Sequence, residues 1–146
     1  MIIIQVSRAR QGRLTPSFRF SSSRVLGGNV ASDLTLVEVG VQGPIQPQTG
    51  SVLTPSFVKL FNRLVGNQLN CKTLIIRGAP IPSGTSGQPI QRLPFQPSLE
   101  LLAPYIFNRL QGPFKLQGLT LQFVMLEAME LRSTFRRGQV SPLTRR

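Results

Sequence analysis

Two stretches of helical apolar spacing, each followed by a short run of strand spacing, leave this chain few folds to choose from. In the first, Phe57, Leu60, Phe61 and Leu64 stand at i, i+3, i+4 and i+7, while Lys59, Asn62 and Arg63 face away. Thr54 is placed to cap this helix, Pro55 to begin it and Gly66 to end it. KTLIIR, Lys72 to Arg77, follows as a short β-rich run. In the second, Ser98 opens LELLAPYIFNRLQG, which closes at Gly112, and Pro104 either kinks one helix or starts another. GLTLQFVM then alternates Leu119, Leu121, Phe123 and Met125 with Thr120, Gln122 and Val124. This order predicts an α/β fold: a small two-layer sandwich of two helix–strand units, with additional strands and basic extended N- and C-terminal arms. LFNRLVG and IFNRLQG recur at an offset of 46 residues, read either as a duplicated unit or as coincidence.

MIIIQV, Met1 to Val6, reads as an edge strand, and DLTLVEVGV, Asp33 to Val41, as a strand. The latter sets Thr35, Val37, Val39 and Val41 on one face and Leu34, Leu36 and Glu38 on the other. QGPIQPQTG, Gln42 to Gly50, is dense enough in Pro and Gly to be a linker. GAPIPSGTSGQP, Gly78 to Pro89, reads as a flexible loop, because it lacks the lysine and hydroxyl pair of a phosphate-cradling loop. A helix over Leu126 to Arg137 would place its arginines at the carboxyl end, where the backbone dipole favours cations, and Gly138 would stop it. One domain is expected from 146 residues. It divides into a basic N-terminal arm with one or two strands and the linker (1–50), an α/β body (51–131) and a basic C-terminal tail (132–146).

Charge is the strongest signal bearing on function. Seventeen Lys and Arg face five Asp and Glu, a formal net charge of +12, and 14 of the cations are Arg. So large an excess points to a polyanionic partner, which arginine meets through a rigid two-pronged fork. The candidate RNA-binding residues are Arg8, Arg10, Arg13, Arg19 and Arg24 in the first arm, and Arg132, Arg136, Arg137, Arg145 and Arg146 at the other end. RNA is preferred to duplex DNA because Gly/Pro-rich arms suit irregular folded RNA and no recognition-helix pattern is present. Phe18, Phe20 and Phe135 lie among these arginines but are read as core packing rather than base-stacking groups.

Histidine is absent, which excludes histidine-dependent catalysis, and the single Cys71 excludes an intramolecular disulfide and any multi-cysteine zinc site. Cys71 is expected to be a small buried hydrophobe, and Met125 and Met129 to be core residues. Asp33, Glu38, Glu100, Glu127 and Glu130 are expected to tie down the chain's own arginines. The chain is therefore read as no enzyme, with no cofactor, metal or small-molecule substrate. No run approaches the ~20 apolar residues of a spanning helix.

PSFVKLFNRLVG, LELLAPYIFNRL, GLTLQF and RSTFRRGQVSPLT, the last from Arg132 to Thr144, together resemble the carboxyl-terminal domain of the third small-subunit ribosomal protein family, as found in divergent mitochondrial versions. The resemblance implies that Arg132, Arg136 and Arg137 touch ribosomal RNA; the arm arginines rest on charge alone. The resulting expectation is a structural constituent of the mitochondrial ribosome, small subunit favoured, located in the matrix among neighbouring ribosomal proteins. The Arg- and Ser-rich first 24 residues have a transit-like composition and are expected to be a retained arm rather than a discarded signal. The alternatives are a virus or phage structural protein that binds its genome, and a peripheral subunit of a respiratory complex.

Overall fold

The computed structural model describes residues 11–45, 56–85 and 87–144. The expected edge strand at Met1 to Val6, the Thr54–Pro55 helix start, and Arg8, Arg10, Arg145 and Arg146 lie outside the described residues. The chain is mixed α/β, built on one seven-stranded sheet.

Strands β1 (Gln11–Leu14) and β2 (Ser17–Leu26) form one continuous register against β3 (Asn29–Pro44), with Leu14 opposite Val41 and Ser17 opposite Glu38. Pro16 interrupts them because it has no N–H to donate, although its carbonyl still accepts from Val39 N at 3.0 Å. Gly27 and Gly28 turn the chain between β2 and β3 with φ of +56° and +86°. Two successive positive φ values match the right-handed strand twist, and glycine supplies them without strain.

Residues 11–45, expected as an arm passing into a linker at Gln42, thus supply three strands, and β3 continues to Pro44. The sheet order is β5-β4-β2-β3-β6-β7, with β1 alongside β3. Here β4 is Thr73–Ile76, β5 Ile90–Leu93, β6 Thr120–Ala128 and β7 Leu131–Arg136. β4 runs parallel to both β2 and β5, and the Gly/Pro stretch after Ile76 is the crossover that returns the chain to pair in parallel.

Helix α1 has three segments: α-helical Ser56–Phe61, π-helical Asn62–Gly66 and α-helical Asn67–Leu69. The π turn inserts one extra residue, so the buried face runs Phe57, Phe61, Val65, Leu69 instead of continuing through Leu64 and Gln68. Lys59, Asn62 and Arg63 are exposed, as the spacing predicts. Helix α2 (Leu99–Leu116) carries Pro104 and Pro113 inside a single helix, so Pro104 does not start a second one. It buries Leu99, Leu102, Ala103, Ile106, Phe107, Leu110 and Phe114. Neither Gly66 nor Gly112 ends its helix. Arg109 Nε from α2 donates to Leu64 O within the π turn at 2.8 Å, which ties the two helices together.

Both helices pack into one core with Phe20, Val37, Val39, Val41, Leu121, Val124, Leu126 and Phe135 from the sheet. Phe18 stacks on Phe61 with centroids 3.8 Å apart, and Phe107 meets Phe135 edge-on at 5.2 Å. The three phenylalanines that lie between arginines are therefore packing residues, as expected.

Leu126 to Arg137 is not a helix. It is the β6–β7 hairpin, in which Leu126 pairs with Ser133 and Glu127 with Arg132, and strand pairing overrides the apolar spacing that suggested a helix. Arg132 and Arg136 consequently project from an edge strand. Cys71 is exposed at φ +59° in the turn after α1, and Met129 is exposed at the tip of the β6–β7 hairpin at φ +54°, so neither belongs to the core.

Thr73 is fully buried, and among the described residues its hydroxyl oxygen has no hydrogen-bond partner. Replacing it with the near-isosteric Val is expected to raise stability by about 1 kcal/mol, read from the urea midpoint, since an unpaired buried hydroxyl is removed with little change of shape. A lowered midpoint would contradict that account.

Candidate functional site

The face of the sheet opposite the two described helices carries a cavity of about 320 Å³ where β1, β3, β6 and β7 meet. Its walls include Arg13, Leu14, Thr15, Gln122, Arg136 and Arg137, with Gly40, Val41 and Phe123 beside them. Strand pairing accounts for this assembly. Arg13 lies opposite Gln42 on β3, Gly40 lies opposite Phe123 on β6, and Phe123 lies opposite Arg136 on β7. Directly opposed residues share a face, so cations from both flanks of the sheet reach one hollow.

A bulge shapes the hollow. Gly40 pairs with Phe123 but Val41 with Leu121, which leaves Gln122 as the extra residue of β6. Its side-chain amide donates to Gln42 Oε1 at 3.2 Å. Just past β7, Arg137 N donates to Gln122 O at 2.8 Å and Arg137 Nε to Leu121 O at 3.0 Å. The Arg136 guanidinium stands 5.5 Å from the Phe123 ring centroid. Among the described residues no carboxylate lines the cavity, and the guanidiniums of Arg13 and Arg136 make no hydrogen bond. Three like charges gathered without a counter-charge repel one another, and a bound anion would relieve that repulsion.

A second recess, about 240 Å³, lies between the β2–β3 turn and the start of α2. Arg24 and Arg132 both line it. Arg24 is only 2% exposed and donates from Nε to Ser32 O at 2.9 Å, from one terminal nitrogen to Pro97 O at 3.1 Å and from the other to Ser32 Oγ at 3.2 Å. Burial lowers its pKa from the ordinary arginine value, and the negative charges of Glu100 and Asp33 pull it back up. Arg132 is exposed and forms the one ion pair among the described residues, Nε to Glu127 Oε2 at 3.0 Å. Glu100 also lines the recess, which already supplies its own counter-charge.

Of the ten arginines singled out in the sequence, Arg13, Arg136 and Arg137 converge on the first cavity and Arg24 and Arg132 on the second. Arg19 is exposed opposite Leu36 and lines neither. Sequence reasoning missed Phe123, Gly40 and Gln122, because their roles come from pairing between strands far apart in the chain. It also missed the β2–β3 turn, although Gly-Gly between two apolar-patterned runs is a recognised hairpin signal. Among the described residues no three His, Cys, Asp or Glu side chains gather to hold a metal, and no helix is long and apolar enough to cross a membrane.

No family model and no curated protein matches the sequence. Solved structures do share the fold. An uncharacterized protein from Wolinella succinogenes superposes with a TM-score of 0.63 at 14% identity, over 87% of this chain and 98% of that one. The 6-pyruvoyl tetrahydropterin synthase of Caenorhabditis elegans superposes with a TM-score of 0.56 at 14% identity, over 86% of this chain and 95% of that one.

These likenesses overturn the ribosomal reading. The fold is not that of a ribosomal protein, and the resemblance to the third small-subunit family does not hold: the stretch taken as its basic tail begins as an edge strand of the sheet. The mitochondrial ribosome, its RNA and its neighbouring proteins lose their support, and neither the viral nor the respiratory alternative gains any. The expectation of a non-catalytic chain finds no support in a fold that a synthase shares.

Proposed function

We propose that this chain binds a small organic anion, bearing a phosphate or carboxylate group, in the cavity formed by Arg13, Arg136 and Arg137. One observation carries the reading: guanidiniums from both flanks of the sheet enclose a hollow that no carboxylate lines among the described residues. The hollow has the size of small-ligand sites, about 300–1,000 Å³, and it mixes apolar walls with a few convergent polar groups. Arginine forks suit planar carboxylate and phosphate oxygens, and the Gln122 amide can orient the bound group. The synthase that shares the fold is named for a pterin, itself a small organic molecule, which supports a ligand of that scale. The lining side chains offer charge stabilisation and orientation and include none that exchanges protons near neutral pH.

Titration calorimetry with inorganic pyrophosphate tests the reading. One equivalent should bind, with affinity that falls as salt rises, and Arg13→Gln with Arg136→Gln should weaken binding at least about tenfold, as expected when charge-assisted hydrogen bonds are lost. Unsaturable uptake, or binding unchanged in the double variant, would overturn the proposal.

A further inference from the structure

We infer that the cavity selects flat aromatic or heteroaromatic anions, which stack on the Phe123 ring. This rests on the reading of the cavity as an anion site and adds to it the class of ligand. The support is the way Phe123 is held. A Cβ placed on Gly40 would press into the ring face, 2.5 Å from Cδ2 and 2.8 Å from Cζ, so the ring lies directly on the β3 backbone. Only a residue without a side chain permits that approach. The ring is thereby fixed as a plate: one side is against Gly40 and its half-exposed remainder lines the cavity.

The Arg136 guanidinium stands 5.5 Å from the centroid of the same ring, and its exposed side chain, which makes no guanidinium hydrogen bond among the described residues, can move off the ring to meet the charged group of a ligand. An apolar plate beside a cation is poorly used by inorganic phosphate, which offers no surface to stack. It is well matched by a ring carrying a negative group, because the ring stacks on Phe123 while the charged group takes the guanidinium forks. The Gln122 amide beside the plate, held by Gln42, presents hydrogen-bonding atoms to the edge of a heterocycle.

Phenyl phosphate, cyclohexyl phosphate and inorganic pyrophosphate, titrated separately into the intact chain, distinguish the possibilities. Phenyl phosphate should bind about fivefold more tightly than cyclohexyl phosphate, the scale of a stacking contact. Phe123→Leu should erase that preference, and Phe123→Tyr should retain it. Equal affinity for the phenyl and cyclohexyl esters, alongside saturable pyrophosphate binding, overturns this inference and leaves the anion site standing. A Phe123→Leu protein that keeps the preference also overturns it. Failure of all three compounds to bind removes the anion site and this inference together.

Discussion

Replacing Arg24 by Met lowers the stability of the fold by about 2 kcal/mol, and replacing it by Ala by about 4 kcal/mol, the second figure including the space the side chain vacates. Two effects oppose each other at this residue. Burial disfavours the charged guanidinium, as its lowered pKa shows, and a buried charge exchanged for a hydrophobe of similar length is in some proteins neutral or stabilising. Against that, Met supplies none of the three donors that now satisfy Ser32 O, Ser32 Oγ and Pro97 O. Pro97 is itself buried, so its carbonyl would be left without a donor in a place water reaches poorly. Each orphaned acceptor costs about 1–3 kcal/mol, and with several of them the loss of donors outweighs the relief of desolvation.

The sign of the pH effect follows from the same burial. A cation whose pKa is lowered in the folded state weakens the fold wherever it stays protonated, and that penalty is relieved only as pH rises through the lowered value. A guanidinium keeps its proton at neutral pH even inside a protein, so the contribution of Arg24 is flat there. Urea denaturation at pH 7 decides the matter. A midpoint unchanged or raised in Arg24→Met would show that desolvation wins and that the hairpin does not need this tie to the segment before α2.

The elements legible in the sequence are those whose burial pattern is local. The apolar stripe of α1 and the runs that became β4 and β6 announce themselves within a dozen residues. The π turn does not, because the shift from Leu64 and Gln68 to Val65 and Leu69 depends on how the helix meets the sheet. The β2–β3 hairpin was obscured by charge: Arg13, Arg19 and Arg24 suggest a solvated arm, yet Phe20 between them and Val25 beside Arg24 are buried, and Phe18 packs against the core. The same charge misdirected the functional reading. Fourteen arginines in the sequence imply a polyanion, but among the described residues the ones singled out divide between two separate hollows and an exposed strand position. Arg24 is spent on internal carbonyls and Arg132 on Glu127, whereas Arg13, Arg136 and Arg137 share a hollow that no carboxylate lines among the described residues. Which arginines meet depended on strand pairing that the sequence does not display.

Gly40→Ala is expected to destabilise the chain by about 2 kcal/mol, the scale of an overpacked site, and to abolish the preference for phenyl over cyclohexyl phosphate. The added methyl cannot coexist with the ring where it now lies, so either the β3 backbone moves opposite the β6 bulge or Phe123 swings off the strand. Backbone movement is resisted on both sides, since β3 pairs with β1 and β2 along one edge and with β6 along the other. The ring is half-exposed and has solvent to move into, so it yields first and the plate is lost. Removing the ring as well should then make the methyl harmless. In Phe123→Ala with Gly40→Ala, the combined loss should fall short of the sum of the single losses by about 1–2 kcal/mol, the coupling expected of two residues in direct contact. Strict additivity in urea melts would mean that the two residues do not press on each other, and the stacking plate would have no foundation.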